Sequence, residues 1–176
     1  MILIQRDRWL PPEALEYVRT EALKLPYYDK HEYNKKFKRN ENWPGKRSDL
    51  LQTVNKELND VLHNNLEVLP WYKGLKFNTF VHYRPKDSDE SVIHCDNESL
   101  AGVLYLNPTN TDSGTYIYNE DRIINDIKYV QNRLIVYSGA QPHNSYGHFG
   151  DSPENSRLTI NFFLGSVEGE TSDYSK

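Results

Sequence analysis

A single domain, mainly β with supporting helices (α+β), is the architecture this sequence predicts: a jelly-roll pair of sheets with two N-terminal helices braced on one face. Three observations carry it. Two segments of helical periodicity come first, between residues 11 and 62. A series of short strands separated by regular turn signals then fills residues 75–164. No repeat, linker or low-complexity tract divides the chain, and 176 residues is the length of one ordinary domain with a real core. The expected division is a helical support region over 1–70, a sheet core over 71–165 and a polar tail over 166–176.

Composition narrows the class. The chain is 37% hydrophobic and 26% charged, polar but globular, and thirteen Tyr, six Phe and three Trp can fill a β-type core with polar tips at a cleft. A formal net charge of −4 gives no general attraction to nucleic acid or anionic membrane. The one cysteine, Cys95, excludes an internal disulfide framework and fits a reducing compartment. The apolar run at Met1–Ile4 is too short for a signal peptide, and no stretch approaches the roughly 20 apolar residues of a membrane span. These features predict a soluble, cytoplasmic protein.

In chain order, Ile2–Ile4 reads as a short opening strand. Pro11-Pro12 suits a first helical turn, and Ala14, Tyr17, Val18, Ala22 and Leu25 form one face that stops at Pro26. From Lys30 to Arg47 the chain carries Lys30, Lys35, Lys36, Lys38, Arg39, Lys46 and Arg47 against Glu32 and Glu41. Tyr33, Phe37 and Trp43 are interleaved with those charges. Two readings fit: a solvated loop anchored by its aromatics, or a surface for an acidic partner or nucleic acid, with the aromatics stacking. Ser48 reads as the N-cap of a second helix, with Leu50, Leu51, Val54, Leu58, Val61 and Leu62 on its buried stripe. Alternation then marks a strand over Leu75–Arg84. Further strands are expected at Leu100–Asn107, Thr115–Asn119, Lys128–Val130, Arg133–Ser138 and Arg157–Leu164, with Asp112-Ser-Gly114 among the turns between them.

The chemistry centres on His94-Cys95-Asp96. On extended backbone, positions i and i+2 share a face, so His94 and Asp96 can converge on one ion. One His and one carboxylate are two members of the 2-His-1-carboxylate set that holds Fe(II) with open positions. Alone, H-x-D is a common chance pair. His143 follows the apolar strand Arg133–Tyr137, in Ser138-Gly-Ala-Gln-Pro-His143. Arg157 opens the last strand, sharing a face with Thr159 and Asn161, and its planar fork suits a carboxylate. Each has a bland reading, as a strand-end His and a solvated edge Arg.

In this order, the H-x-D pair, the hairpin, the later His and the following Arg resemble the 2-oxoglutarate/Fe(II)-dependent dioxygenase superfamily, on its prolyl-hydroxylase-like branch. The resemblance covers roughly Leu75–Leu164 and implies a double-stranded β-helix, cupin-like core. It implies metal ligation by His94, Asp96 and His143, with Arg157 on the distal carboxylate of 2-oxoglutarate. Tyr105, in Leu104-Tyr-Leu-Asn107, would add a second contact to that carboxylate, and Thr159 matches a small hydroxyl residue two positions after the Arg. Tyr83 and Asn78 fall where relatives line the cosubstrate pocket. Three features depart from the family pattern. Asp112-Ser-Gly114 replaces a double glycine, and Cys95 sits inside the ligand motif, where a strand would turn it away from the metal into packing. His148 lies nine residues before Arg157, a spacing some relatives use for the distal ligand, whereas His143 lies fourteen before. His143 is preferred for its place directly after a strand, leaving His148 to a mobile substrate-side loop.

The implied activity is hydroxylation of a substrate C–H with O2, coupled to decarboxylation of 2-oxoglutarate to succinate and CO2. A carboxylate at Asp96 fits hydroxylation rather than halogenation. Residues 85–90 and 144–156 are the loops expected to flank the substrate, a small molecule or peptide. Two alternatives stand beside this: a non-catalytic cupin-like binding module, and a nucleic-acid-modifying relative that uses the basic 30–47 segment.

Overall fold

The computed structural model describes residues 3–70, 72 and 77–165. The expectations for Ile2, Leu75, Lys76 and the 166–176 tail lie outside the described residues. Among these residues the elements run β1 (Leu3–Arg6), α1 (Pro12–Leu23), α2 (Lys30–Phe37), β2 (Lys46–Arg47), α3 (Leu51–Val54), α4 (Lys56–Glu67) and β3 (Phe77–Arg84). They continue through β4 (Leu100–Tyr105), β5 (Asn110–Asn119), β6 (Arg122–Tyr129), β7 (Leu134–Ser138), β8 (His143–Tyr146) and β9 (Arg157–Leu164). The strands form a six-stranded sheet ordered β1-β7-β4-β9-β3-β2 and a three-stranded sheet ordered β6-β5-β8, with antiparallel pairing throughout.

Strand parity divides the protein into two cores. On the large sheet, Val81, Tyr83, Leu104, Leu134, Val136, Leu158, Ile160, Phe162 and Leu164 face the helices, where they meet Val18 and Ala22 of α1 and Leu58, Leu62 and Leu66 of α4. The opposite faces of the same strands give Ala101, Val103, Tyr105, Ile135 and Tyr137 to a second core between the sheets, with Ile117, Ile127 and Tyr129 from the small one. Beside that inner core the sheets leave a cavity lined by both polar and apolar side chains.

The N-terminal region differs from its sequence reading in instructive ways. The basic segment is a loop only over 38–45; it begins as α2, nucleated by a capping box, with Asp29 Oδ1 accepting from His31 N at 2.8 Å and Glu32 N at 2.9 Å, and Glu32 Oε2 accepting from Asp29 N at 3.0 Å. Tyr33 and Phe37, one turn apart, then pack on Tyr28, and Tyr33 also on Trp43. Ser48 is not a helix cap. It is fully buried, and its Oγ accepts from Val81 N at 3.0 Å and donates to Asp49 O at 2.7 Å, pinning the chain to β3. The single helix expected after it is two helices, because Asn55 leaves helical geometry (φ −154°, ψ 84°) and caps α4 by accepting from Leu58 N. Four helices therefore brace the sheets among the described residues, not two.

On the β side, Asp112-Ser-Gly114 is no turn. It lies inside β5 at a register shift against β6, and a Cβ at Gly114 would meet Ile127 O at 2.2 Å. Strand β6 extends back to Arg122, and β8 was not expected: His143-Asn-Ser-Tyr146 lacks apolar alternation and is a strand because β5 pairs with it.

Leu62 is fully buried between α4 and the large sheet. Leu62→Ala is expected to cost about 2–5 kcal/mol in urea unfolding. Val54→Ala, at a position 37% exposed, is expected to cost under about 1 kcal/mol. Equal effects would contradict this packing scheme.

Candidate active site

His94, Asp96 and His143 come together because two backbone hydrogen bonds tie their segments: His94 N donates to His143 O at 3.0 Å, and His143 N to His94 O at 2.9 Å. The 91–97 stretch is not a strand, only a single bridge at His94. Its third anchor is Asp96 N, which donates to Gly139 O at 2.8 Å. Gly139 is required there, since a Cβ would lie 1.9 Å from Glu98 O.

The side chains converge. Asp96 Oδ1 lies 3.8 Å from His94 Nε2, Asp96 Oδ2 lies 3.4 Å from His143 Nε2, and one ligand atom from each residue falls within 4.8 Å of the others. Such spacing suits one ion about 2.1 Å from each donor. In both histidines Nδ1 faces a backbone carbonyl two residues back, Val92 O for His94 and Gln141 O for His143, each at 2.9 Å. A proton on Nδ1 leaves the Nε2 lone pair free for a metal. Burial holds His143 down to about 4, so its ring is neutral at pH 7. Burial also pushes Asp96 up to about 6, against the opposing pull of His94. His143 is buried and His94 exposed, so the cluster is closed on one side and open on the other.

All three residues line a cavity of about 520 Å³ together with Arg157, Arg84, Thr115, Tyr137 and Ser145. Arg157 is 4% exposed. Its Nη2 donates to Gly114 O and Thr115 Oγ1 at 3.3 Å, and its Nε has no hydrogen-bond partner among the described residues. A buried guanidinium bonded only to neutral acceptors is suited to a carboxylate, so the donor set fits both a divalent ion and an acidic cosubstrate.

Strand parity sorts the remaining predicted residues. Tyr105 lies behind the cavity, fully buried, with its hydroxyl 2.7 Å from Thr115 Oγ1 and its ring 5.6 Å from the Arg157 guanidinium. Thr159 is also fully buried, and its hydroxyl donates to Asn161 Oδ1 at 2.7 Å, with His82 O farther off at 3.3 Å. Tyr83 does not line the cavity: it is on the helix-facing side of β3, edge-on to Tyr27. Asn78 has the correct parity but sits by a second cavity of about 390 Å³, bonded to Gln52. The residues missed on β3 are Phe80, His82 and Arg84, and alternation from Val81 was the signal for them. Cys95 is exposed, with Sγ 3.3 Å from Ala140 O, rather than packed. His148 is partly buried, its Nε2 unpartnered among the described residues, and it lies outside the three-residue cluster.

No protein-family model matches the sequence, and no curated protein does. Solved structures do match. HygX from Streptomyces hygroscopicus, with nickel and 2-oxoglutarate bound, is 14% identical at TM-score 0.66, over 99% of this chain and 89% of that one. An oxidoreductase of the 2OG-Fe(II) oxygenase family from Burkholderia pseudomallei is 10% identical at TM-score 0.62, over 93% and 84%. A Trichoplax adhaerens prolyl hydroxylase, in complex with a hypoxia inducible factor peptide fragment, is 14% identical at TM-score 0.59, over 93% and 83%. The chain has the double-stranded β-helix fold of these oxygenases.

The basic segment has a structural role, and its nucleic-acid reading is left without support. The Arg47 guanidinium sits 3.5 Å from the Trp43 ring centroid, 4.3 Å from that of Phe80 and 4.6 Å from that of Tyr33, and pairs with Glu41. Tyr33 and Trp43 are buried, so they are not free to stack on bases. The two flanking loops touch, with Lys86 N donating to Gly150 O at 2.9 Å. Among the described residues no helix is long and apolar enough to cross a membrane.

Metal binding requires the ionised form of Asp96, raised to about 6. Mn(II) affinity, followed by loss of the free-ion paramagnetic resonance signal, is therefore expected to plateau above about pH 7 and to weaken by about tenfold per pH unit below about 6. An affinity independent of pH from 5 to 8 would contradict that geometry.

Proposed function

We propose that this chain is an Fe(II)- and 2-oxoglutarate-dependent oxygenase that hydroxylates a C–H bond of a peptide or small molecule, releasing succinate and CO2. One observation carries the reading: a His-Asp-His cluster with both Nε2 atoms free and a buried, unpaired guanidinium line the same cavity. Two neighbours of the same fold support it: HygX carries nickel and 2-oxoglutarate, and has also been solved with hygromycin B, while the Trichoplax enzyme holds a peptide.

In this reading His94, Asp96 and His143 hold the ion, and Arg157 receives the far carboxylate of 2-oxoglutarate. Bound iron with its cosubstrate would supply the oxidising power that activates O2 against a C–H bond. Everything else is the task of the protein. The carbonyls of Val92 and Gln141 fix the orientation of both imidazoles. Asp96 keeps a carboxylate at the position that a halogenating site would leave open. Tyr137 packs against the His143 ring at 4.7 Å between centroids, and Val103 adds an apolar wall that keeps water from the inner side. Thr115 links the Tyr105 hydroxyl to Arg157, so Tyr105 acts by positioning that guanidinium. Thr159 acts likewise, by bonding Asn161 on the cavity wall. A cytoplasmic location, where Fe(II) and 2-oxoglutarate are available and Cys95 stays reduced, suits this chemistry.

The test is succinate release from 2-oxoglutarate with Fe(II) and ascorbate, screened against peptide and metabolite pools with detection of a one-oxygen mass gain. Wild type is expected to form succinate. His94→Ala is expected to fall to the level of protein-free iron, and Arg157→Ala to need at least about 30-fold more 2-oxoglutarate. Equal turnover in all three proteins would overturn the assignment.

A further inference from the structure

The family resemblance provides one basic residue for the cosubstrate, but this cavity places two deeply buried arginines side by side. In the β3–β9 ladder Arg84 is the direct partner of Arg157, so the two side chains leave the sheet next to each other on the same face. Arg84 is 2% exposed and Arg157 4%, and both line the cavity that holds His94, Asp96 and His143.

The facing sheet repeats the pairing. Thr115 and Ser145 are direct partners in the β5–β8 ladder, and each hydroxyl accepts from one guanidinium, Thr115 from Arg157 and Ser145 from Arg84. Two arginines from one sheet thus meet two hydroxyls from the other, and both guanidinium groups are held at one place.

Their charges are not neutralised there. The remaining acceptors are backbone carbonyls, Asp89 O for Arg84 and Gly114 O for Arg157. Among the described residues neither arginine is in an ion pair, and the Nε of each is buried without a hydrogen-bond partner. Burial and then the charge of Arg157 hold Arg84 down to about 9; the Asp89 carboxylate opposes them only from a distance, since it is exposed and lies 3.8 Å from Lys30. The neighbours register the positive field. His82 and His148 are both held down to about 3 by burial and by the charges of Arg84 and Arg157. Burying one cation is costly, and a second beside it raises the cost, unless an anion is meant to occupy the space between them.

We propose that Arg84 and Arg157 form a two-guanidinium clamp on the far carboxylate of 2-oxoglutarate, which makes Arg84 a second cosubstrate-binding residue. The inference rests on the oxygenase reading above. A carboxylate offers about four lone-pair sites on two oxygens, enough to accept from two planar forks at once. A substrate acid is the less suitable occupant, because Arg84 is as deeply buried as Arg157 and is fixed beside it by the paired hydroxyls.

The experiment measures affinities of the Mn(II)-loaded full chain for 2-oxoglutarate and for 2-oxobutyrate by calorimetry. The second compound keeps the chelating keto acid and lacks the far carboxylate. In Arg84→Met, 2-oxoglutarate is expected to bind at least about 30-fold more weakly while 2-oxobutyrate stays within about threefold of wild type. Arg84→Lys, which keeps the charge and loses the fork, is expected to lose part of the same selectivity, and decides the matter alone if the Met variant does not fold. Equal loss for both keto acids would make Arg84 a structural tether, and unchanged affinity for both would remove it from the clamp. A wild-type protein that binds neither would overturn the oxygenase reading together with the clamp.

Discussion

The reciprocal backbone hydrogen bonds between His94 and His143 are the constraint on which the rest of the site depends. They join a segment without regular structure to the first residue of β8, whose ladder partner among the described strands is β5. Through that ladder His143 faces Ile117 and Ser145 faces Thr115. His143 of the His-Asp-His cluster and Ser145 at the arginine end of the cavity are thus two positions on one short strand. A shift of β8 by one residue would turn both away from the cavity.

Alternation on the large sheet does the corresponding work. Leu158, Ile160, Phe162 and Leu164 bury one face of β9 against the helices, which leaves Arg157, Thr159, Asn161 and Phe163 facing the small sheet. The same packing holds Val81 and Tyr83 down and turns Phe80, His82 and Arg84 toward the cavity. The helical layer fixes the parity with which β3 and β9 present their side chains to the cavity.

Much of this was legible in the sequence, and the exceptions share physical causes. The core strands β3, β4, β7 and β9 were readable because one or both faces are apolar. His94, Asp96, His143 and Arg157 were readable as an ordered set, and the structure brings all four to one cavity. Strand β8 was hidden because pairing, not composition, makes His143-Asn-Ser-Tyr146 a strand. Asp112-Ser-Gly114 carries turn chemistry but is used as a bulge. Tyr83 was placed at the cosubstrate pocket although alternation from Val81 puts it on the helix-facing side, and Arg84 on the opposite face was given no role. The 30–47 segment was read by its charge, while the Asp29–Glu32 capping box that makes it begin as a helix went unread. Its Arg47, enclosed by Trp43, Phe80 and Tyr33, shows that aromatics among cations can be a folding device rather than a binding surface.

The proposed chemistry requires that one cavity take both ion and cosubstrate. The direct measurement is the visible absorption of the anaerobic protein with Fe(II) and 2-oxoglutarate added separately and together. A metal-to-ligand charge-transfer band is expected only with both present, saturating at one equivalent of each and lost in His143→Ala. Absence of the band in the wild type, or its persistence in His143→Ala, would contradict the site described here.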